Sequence, residues 1–298
     1  MKLAIIGLSN SGKTTVFNAL TGQNIETTLY ATVAGEPHFG VVRVPDQRLE
    51  KLSEIYRPKK TTHATVEYVD YIGLTKGDIA QNSKVFDLIK DADAVVHVVR
   101  AFADEVVSHP LSGVDPLRDI ETVELEFIFG DLEFVDKRLQ RIEEAAKKGK
   151  KPSEAEKKLM LKCKDALEKE VPLRNVEFDD EEQKLMKPLQ FASTKPEIIV
   201  LNVGEEDLGS TRATELLANV DGFIRKRGLS MTTRVVSLCG KIEMEIAQLS
   251  ADEAKAFLDD LGIEEPALYK LIKESYTLLG LISFLTTGED EVRAWTIT

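Results

Sequence analysis

The chain has 298 residues, enough for two or three domains and at least one sizeable core. Hydrophobic residues make up 43% and charged residues 30%, the balance of an ordinary globular protein rather than a disordered or fibrous one. A formal net charge of −12 excludes a protein that coats nucleic acid with its whole surface, and leaves room for local basic patches.

The first apolar run, Leu3–Ile6, reads as a buried strand. It is too short for a secretory signal, and Gly7, Asn10 and Gly12 interrupt it. Directly after it comes Gly7-Leu8-Ser9-Asn10-Ser11-Gly12-Lys13-Thr14, followed by Thr15–Leu20 with helical spacing of apolar residues. Strand, G-x-x-x-x-G-K-T and helix, in that order, form a phosphate-binding loop. Its glycines let backbone N–H groups wrap phosphates, and the helix N-terminus adds partial positive charge. Asn10, Ser11, Gly12, Lys13, Thr14 and Thr15 are therefore expected to bind nucleotide. Lys13 should reach the β- and γ-phosphates as a catalytic cation, and Thr14 should take a Mg²⁺ position.

Further strand-like runs follow at Phe39–Val44, Val66–Asp70, Ala94–Val99, Ile198–Asn202 and Val235–Leu238, with helical segments between them, Gln47–Tyr56 among these. That alternation predicts an α/β domain with a mostly parallel sheet, whose ligand lies beyond the carboxyl ends of the strands. Thr32, in Tyr30-Ala31-Thr32-Val33, is expected to complete the Mg²⁺ shell from a first switch. Asp70-Tyr71-Ile72-Gly73 matches D-x-x-G, with Asp70 holding Mg²⁺ through water and the Gly73 N–H meeting the γ-phosphate. Leu74 then stands where many GTPases carry the glutamine that orients attacking water, and leucine has no group to do so.

Residues 131–192 differ in kind. Leu132, Val135, Leu139, Ile142 and Ala146 follow spacings of 3 and 4, a coiled-coil seam. Lys147-Lys148-Gly149-Lys150-Lys151-Pro152 breaks the helix, a Ser153/Glu156 capping box restarts it, and Leu159, Cys163 and Ala166 form the return seam. An antiparallel helical arm is expected, with six lysines (147, 148, 150, 151, 157, 158) at its turn against Glu154 and Glu156. Such a basic tip is either a solvated turn or a contact for RNA or another acidic surface.

Past that arm, Asn202-Val203-Gly204-Glu205 ends a strand where a guanine-specific protein has N-K-x-D. Valine replaces the base-packing lysine, and glutamate replaces the aspartate that accepts from guanine N1–H and N2. Asn202, Val203 and Glu205 thus form a base site with weakened guanine preference and room for adenine. Cys239-Gly240-Lys241-Ile242, after the last sheet strand, is the corresponding base-side loop. From Tyr276 two strands, Leu281–Thr286 and Glu291–Ile297, flank a turn and stop at Thr298, as if a small domain began there. The expected divisions are 1–130 and 193–275 for the nucleotide domain, 131–192 for the arm and 276–298 for the start of the last domain. Cys163 and Cys239 lie far apart with no metal-ligand spacing, and no run approaches the ~20 apolar residues of a bilayer span, so a cytoplasmic protein without membrane contact is expected.

Asn10–Thr15, Leu74, Asn202–Glu205, Val41–Leu49, His97-Val98-Val99-Arg100-Ala101-Phe102 and Glu291–Ile297 together resemble the YchF/Obg-like ATPases, translation-factor-related P-loop proteins. The resemblance covers essentially the whole chain. It implies a Ras-like nucleotide domain, an inserted helical arm and a C-terminal TGS domain, here incomplete through truncation or divergence. It also implies hydrolysis of ATP, often in preference to GTP, without the catalytic glutamine, and association with ribosomes. A histidine on the loop after the H-V-V-R strand is the family's candidate catalytic group, and His109 matches it. The segment Leu74–Asn82 is shorter and poorer in glycine than the family's second switch. A monomeric, slow Mg²⁺-dependent ATPase acting near the ribosome or its RNA is the leading expectation; a nucleotide-gated binding module and a GTPase are the alternatives.

Overall fold

The structure is a computed structural model that describes residues 1–27, 37–71, 73–148 and 153–297. Six strands form the main sheet: β1 (Lys2–Ile6), β2 (His38–Arg43), β4 (Thr65–Asp70), β5 (Ala94–Arg100), β6 (Glu197–Asn202) and β7 (Thr233–Leu238). Their order is β2-β4-β1-β5-β6-β7. All neighbours are parallel except β2, which runs antiparallel to β4 at the edge. β1, β5 and β6 are buried almost throughout, which is why they read as continuous apolar runs instead of alternating ones.

Helices cover both faces of this sheet. On one lie α1 (Lys13–Thr21), α8 (Gly240–Gln248) and α10 (Ala267–Leu278), where Val16, Phe17, Leu271 and Ile272 pack on Leu3, Val96 and Val200. The other face carries α3 (Ile79–Ile89), α4 (Pro116–Lys147) and α7 (Thr211–Lys226). There Val85, Ile89, Val123 and Phe127 pack on Ile6 and Val95, and Val220 and Ile224 on Ile199 and Leu201. This is the expected three-layer α/β domain of P-loop proteins.

The arm begins differently from the sequence reading. Its first helix does not start near residue 131: α4 is one unbroken helix of 32 residues that starts at Pro116 inside the nucleotide domain. Asp115 caps it by accepting from the Arg118 N–H, and Pro116 takes the first helical position, where a missing N–H is harmless. Leu132, Val135, Leu139 and Ile142 do pack against Leu159, Cys163 and Leu167 of α5 (Glu154–Glu168), while Ala146 is exposed and the seam ends before it. Ser153 caps α5, but the second half of the expected capping box is absent: the Glu156 carboxylate reaches across to Arg138 at 2.6 Å. Lys164–Asp136, at 2.7 Å, is a further bridge between the two helices. Gly149–Pro152, including Lys150 and Lys151 of the basic turn, lie outside the described residues. The chain returns through α6 (Asp180–Met186) and short 3₁₀ turns.

The last two strands, β8 (Ile282–Thr286) and β9 (Glu291–Ile297), do not stand alone. A three-residue strand missed in the sequence, β3 (Lys60–Thr62), pairs in parallel with β9 to make a second sheet, β3-β9-β8. Val292 and Ala294 bury themselves against Leu49 and Leu52 of α2 (Gln47–Tyr56). Helix α9 (Ala251–Asp260) completes the chain order between α8 and α10.

Candidate functional site

Residues 7–14 pass from β1 to α1 at the carboxyl ends of the parallel strands. Gly12 precedes α1 with φ of 89°, a left-handed conformation that disfavours any side chain, and a Cβ there would sit 2.2 Å from Asn202 Nδ2. Asn202 donates that amide to the Ser11 carbonyl at 3.0 Å and accepts from the Gly240 N–H at 2.9 Å. One buried side chain thereby ties the phosphate loop to the loop between β7 and α8. Asn202 is expected to bind the base; in this arrangement it is the strut between the two loops that frame it.

Lys13 is buried and donates to the Leu8 carbonyl at 2.9 Å. Burial lowers its pKa to about 8, with the Asp70 carboxylate acting in the opposite sense. Thr14 Oγ1 donates to Asp70 Oδ2 at 2.8 Å, so the two expected metal residues are brought together. Burial pushes the Asp70 carboxyl above its usual range, and Lys13, Thr14 and His38 hold it back. Asp70 Oδ1 is buried and has no hydrogen-bond partner among the described residues. An orphaned carboxylate oxygen beside a threonine hydroxyl and a lysine suits a hydrated divalent cation next to a phosphate site. Mg²⁺ fits these residues, and would be held by Thr14 directly and by Asp70 through water. Thr32, the expected third partner, lies outside the described residues. Thr15 follows Thr14 in the first turn of α1. His38, at the head of β2, places Nδ1 3.8 Å from Asp70 Oδ2, a neighbour that no sequence motif marks.

Gly73 packs directly on the phosphate loop, where a Cβ would meet the Ser9 backbone at 2.9 Å. Next to it the Leu74 N–H donates to the Gly7 carbonyl at 2.9 Å. The Leu74 side chain is buried among Leu8, Tyr71, Val85 and Ile89. It faces the core, so this position supplies no group to orient water. The following loop is held by two residues the sequence did not flag. Asn82 accepts from the Thr75 N–H and donates to the Thr75 carbonyl, and Glu126 of α4 accepts from Gly77 N–H at 2.8 Å and Asn82 Nδ2 at 2.7 Å. No local motif marks Glu126, because its partners are 44 and 49 residues away.

His109 is also placed unexpectedly. Its side chain is buried, Nε2 lies 2.8 Å from Asp119 Oδ2, and Nδ1 accepts from the Leu111 N–H at 3.0 Å. Nε2 must then carry the proton donated to Asp119, and neither nitrogen is left to receive one from water. The loop itself touches the phosphate loop: Asn10 Nδ2 donates to the Ser108 carbonyl at 3.1 Å.

At the base side, Val203 is buried with Ala101, Cys239, Ile242 and Ile246 and forms an apolar floor. Glu205, beyond it, does not project alone. Its Oε1 pairs with Lys241 Nζ at 2.5 Å, an ion pair that raises the Lys241 pKa above its ordinary value.

Comparison with known proteins agrees with this geometry. Residues 2–127 match the family described as 50S ribosome-binding GTPase. The Bacillus subtilis protein named ribosome-binding ATPase YchF is 43% identical over 295 residues, covering 98% of this chain and 80% of that one. The Escherichia coli O157:H7 protein of the same name is 36% identical, covering 99% and 80%. The structure of the Schizosaccharomyces pombe YchF GTPase superposes with a TM-score of 0.77 at 27% identity, over 100% of this chain and 80% of that one. The phosphate loop, the aspartate beside it and these likenesses along nearly the whole chain agree: the protein belongs to the YchF family of P-loop nucleotide hydrolases.

Proposed function

We propose that this protein is a Mg²⁺-dependent ATPase that prefers ATP to GTP and works as a ribosome-associated switch. The observation that carries the reading is the Lys13–Thr14–Asp70 constellation, with its orphaned Asp70 oxygen, at the mouth of the phosphate loop. Here Lys13 balances charge on the β- and γ-phosphates, Thr14 and Asp70 position the metal, and the Gly73 N–H faces the γ-phosphate corner. Bound Mg²⁺ supplies further charge neutralisation. Val203 and Glu205 support adenine over guanine, since neither reproduces the lysine and aspartate that read guanine. Relatives named ribosome-binding ATPase support the ribosomal partner, with the lysines at the arm turn as the proposed RNA contact. Two free, buried cysteines support a reducing, cytoplasmic setting. A monomer is expected to suffice, since Lys13, Thr14, Asp70 and the base loops all come from one chain.

Titration of the purified chain with labelled ATP and GTP in Mg²⁺, followed by single-turnover hydrolysis, tests this reading. GTP favoured about tenfold, some 1.4 kcal/mol, would overturn the stated preference. A second reading, a nucleotide-gated binding module with negligible hydrolysis, is favoured by the buried Leu74 and the fully engaged His109 ring. The single-turnover rate separates the two. Its loss in His109→Ala would show that the loop leaves Asp119 during the reaction.

A further inference from the structure

Outside the phosphate contacts, the feature of the site with an unassigned chemical consequence is the Lys241–Glu205 pair. Glu205 stands in the short turn after β6 and Lys241 in the first turn of α8, the helix whose first N–H Asn202 accepts, so the pair closes one edge of the proposed base position. Both are half open, with side-chain exposures of 62% and 48%. We infer that Lys241 is a specificity residue: by capping the Glu205 carboxylate it makes the base site tolerant of adenine.

The argument is one of donors and acceptors. A bare carboxylate at this position suits guanine, whose N1–H and N2 amino group both donate. Adenine presents the N1 lone pair at the same place, and a free carboxylate repels it. With the ammonium on Oε1, the local charge is close to neutral and an N–H is available to an acceptor. The pair therefore removes the repulsive element against adenine, and specificity is set as much by such elements as by attraction. Glutamate in place of aspartate contributes by carrying the carboxylate one methylene further, to where Lys241 meets it.

This inference rests on the proposed nucleotide site. Its test is the ratio of GTP to ATP affinity in wild type, Lys241→Met, Glu205→Gln and the double variant, by competition against a labelled nucleotide in Mg²⁺. Lys241→Met should move the ratio toward GTP by roughly three- to tenfold, the modest size expected of a solvent-screened pair. Raised salt should shrink the shift. In the double variant the ratio should return close to that of wild type, because no bare carboxylate remains. An unchanged ratio in Lys241→Met overturns the inference, as does an equal shift in the double variant. A loss of both nucleotides in parallel also overturns it, since Lys241 would then act only as a cation near phosphate. A wild-type chain that binds neither nucleotide overturns the proposed site and the inference together, whereas intact binding with an unmoved ratio overturns the inference alone.

Discussion

Burial of Lys13 makes nucleotide affinity depend on pH in a calculable way. In the free protein the ammonium has a pKa of about 8, held down by burial despite the neighbouring Asp70. Facing the β- and γ-phosphates it must be charged, and their charge raises its pKa in the complex. Binding thus takes up a proton above the free-protein pKa. The sign follows: affinity is fully present below about pH 8 and is lost as pH rises through that value. If the lysine stays charged throughout in the complex, affinity falls with the fraction protonated in the free protein, about tenfold between about pH 7 and about pH 9. That is roughly 1.4 kcal/mol. The assay is competition binding of ATP at constant ionic strength and saturating free Mg²⁺, over a range where ATP itself is fully ionised. Lys13→Ala should bind weakly and show no such slope. A wild-type affinity flat across this range would refute the reasoning, because the buried lysine would then not be the group that meets the phosphates. At the acid end the raised carboxyl pKa of Asp70 acts in the opposite sense, so the Mg²⁺-dependent part of binding should weaken as pH falls toward it.

Leu74→Gln should not produce a fast hydrolase. The side chain is buried among apolar neighbours, so an amide there should cost ~1–3 kcal/mol in thermal or denaturant unfolding. A single-turnover rate raised more than about tenfold would show that position 74 can face the γ-phosphate after all. Glu126→Ala removes the acceptor for the Gly77 N–H and Asn82 amide, so exchange of the Thr75 and Gly77 amides should speed by about tenfold or more while ATP affinity changes little. Protection equal to wild type would mean that the loop is held by other contacts. Lys147→Gln combined with Lys148→Gln and Lys158→Gln should weaken RNA or ribosome co-sedimentation and lower its salt slope by roughly one unit per lost phosphate contact. Unchanged sedimentation would return the turn to a solvated surface.

What was legible in the sequence is what depends on near neighbours along the chain. The phosphate loop, the D-x-x-G strand end and Gln47–Tyr56 each carry their own pattern, and each stands where that pattern put it. The partners that set conformation are distant. β3 has no apolar run and exists because β9, more than two hundred residues later, offers it a ladder. Nothing in residues 106–111 says that His109 will be buried, since its partner Asp119 reads locally as a first-turn acid of α4. Likewise the arm reading put a boundary near 131 because the heptad seam starts there. Gly130 stands just before that point, but a helix tolerates a single glycine, and a seam marks where a helix finds a new partner, not where it begins.

That unbroken helix explains how the separate parts of the site are held in register. Four acids of α4 are buried, Asp119, Glu124, Glu126 and Asp131, and each is bonded to a different segment. Asp119 takes the His109 loop, Glu126 the loop after D-x-x-G, and Asp131 the Ala192 and Ser193 amides where the arm returns. Glu124 receives Arg174 at 2.6 Å and also Arg227, and through Arg174 it joins Glu197 and His97 of the sheet. Burial pushes the Glu124 carboxyl up and that of Asp131 up to about 6. Each of the four has donors to satisfy its oxygens, and removing either side leaves the other stranded in a dry environment. At 1.5 Å per residue the helix spans ~48 Å, with the switch contacts in its first half and the arm seam in its second. A displacement of the loop at Gly77 therefore cannot be absorbed locally without breaking the Glu126 bonds. Where those bonds hold, the loop is anchored to the same helix that carries the arm seam.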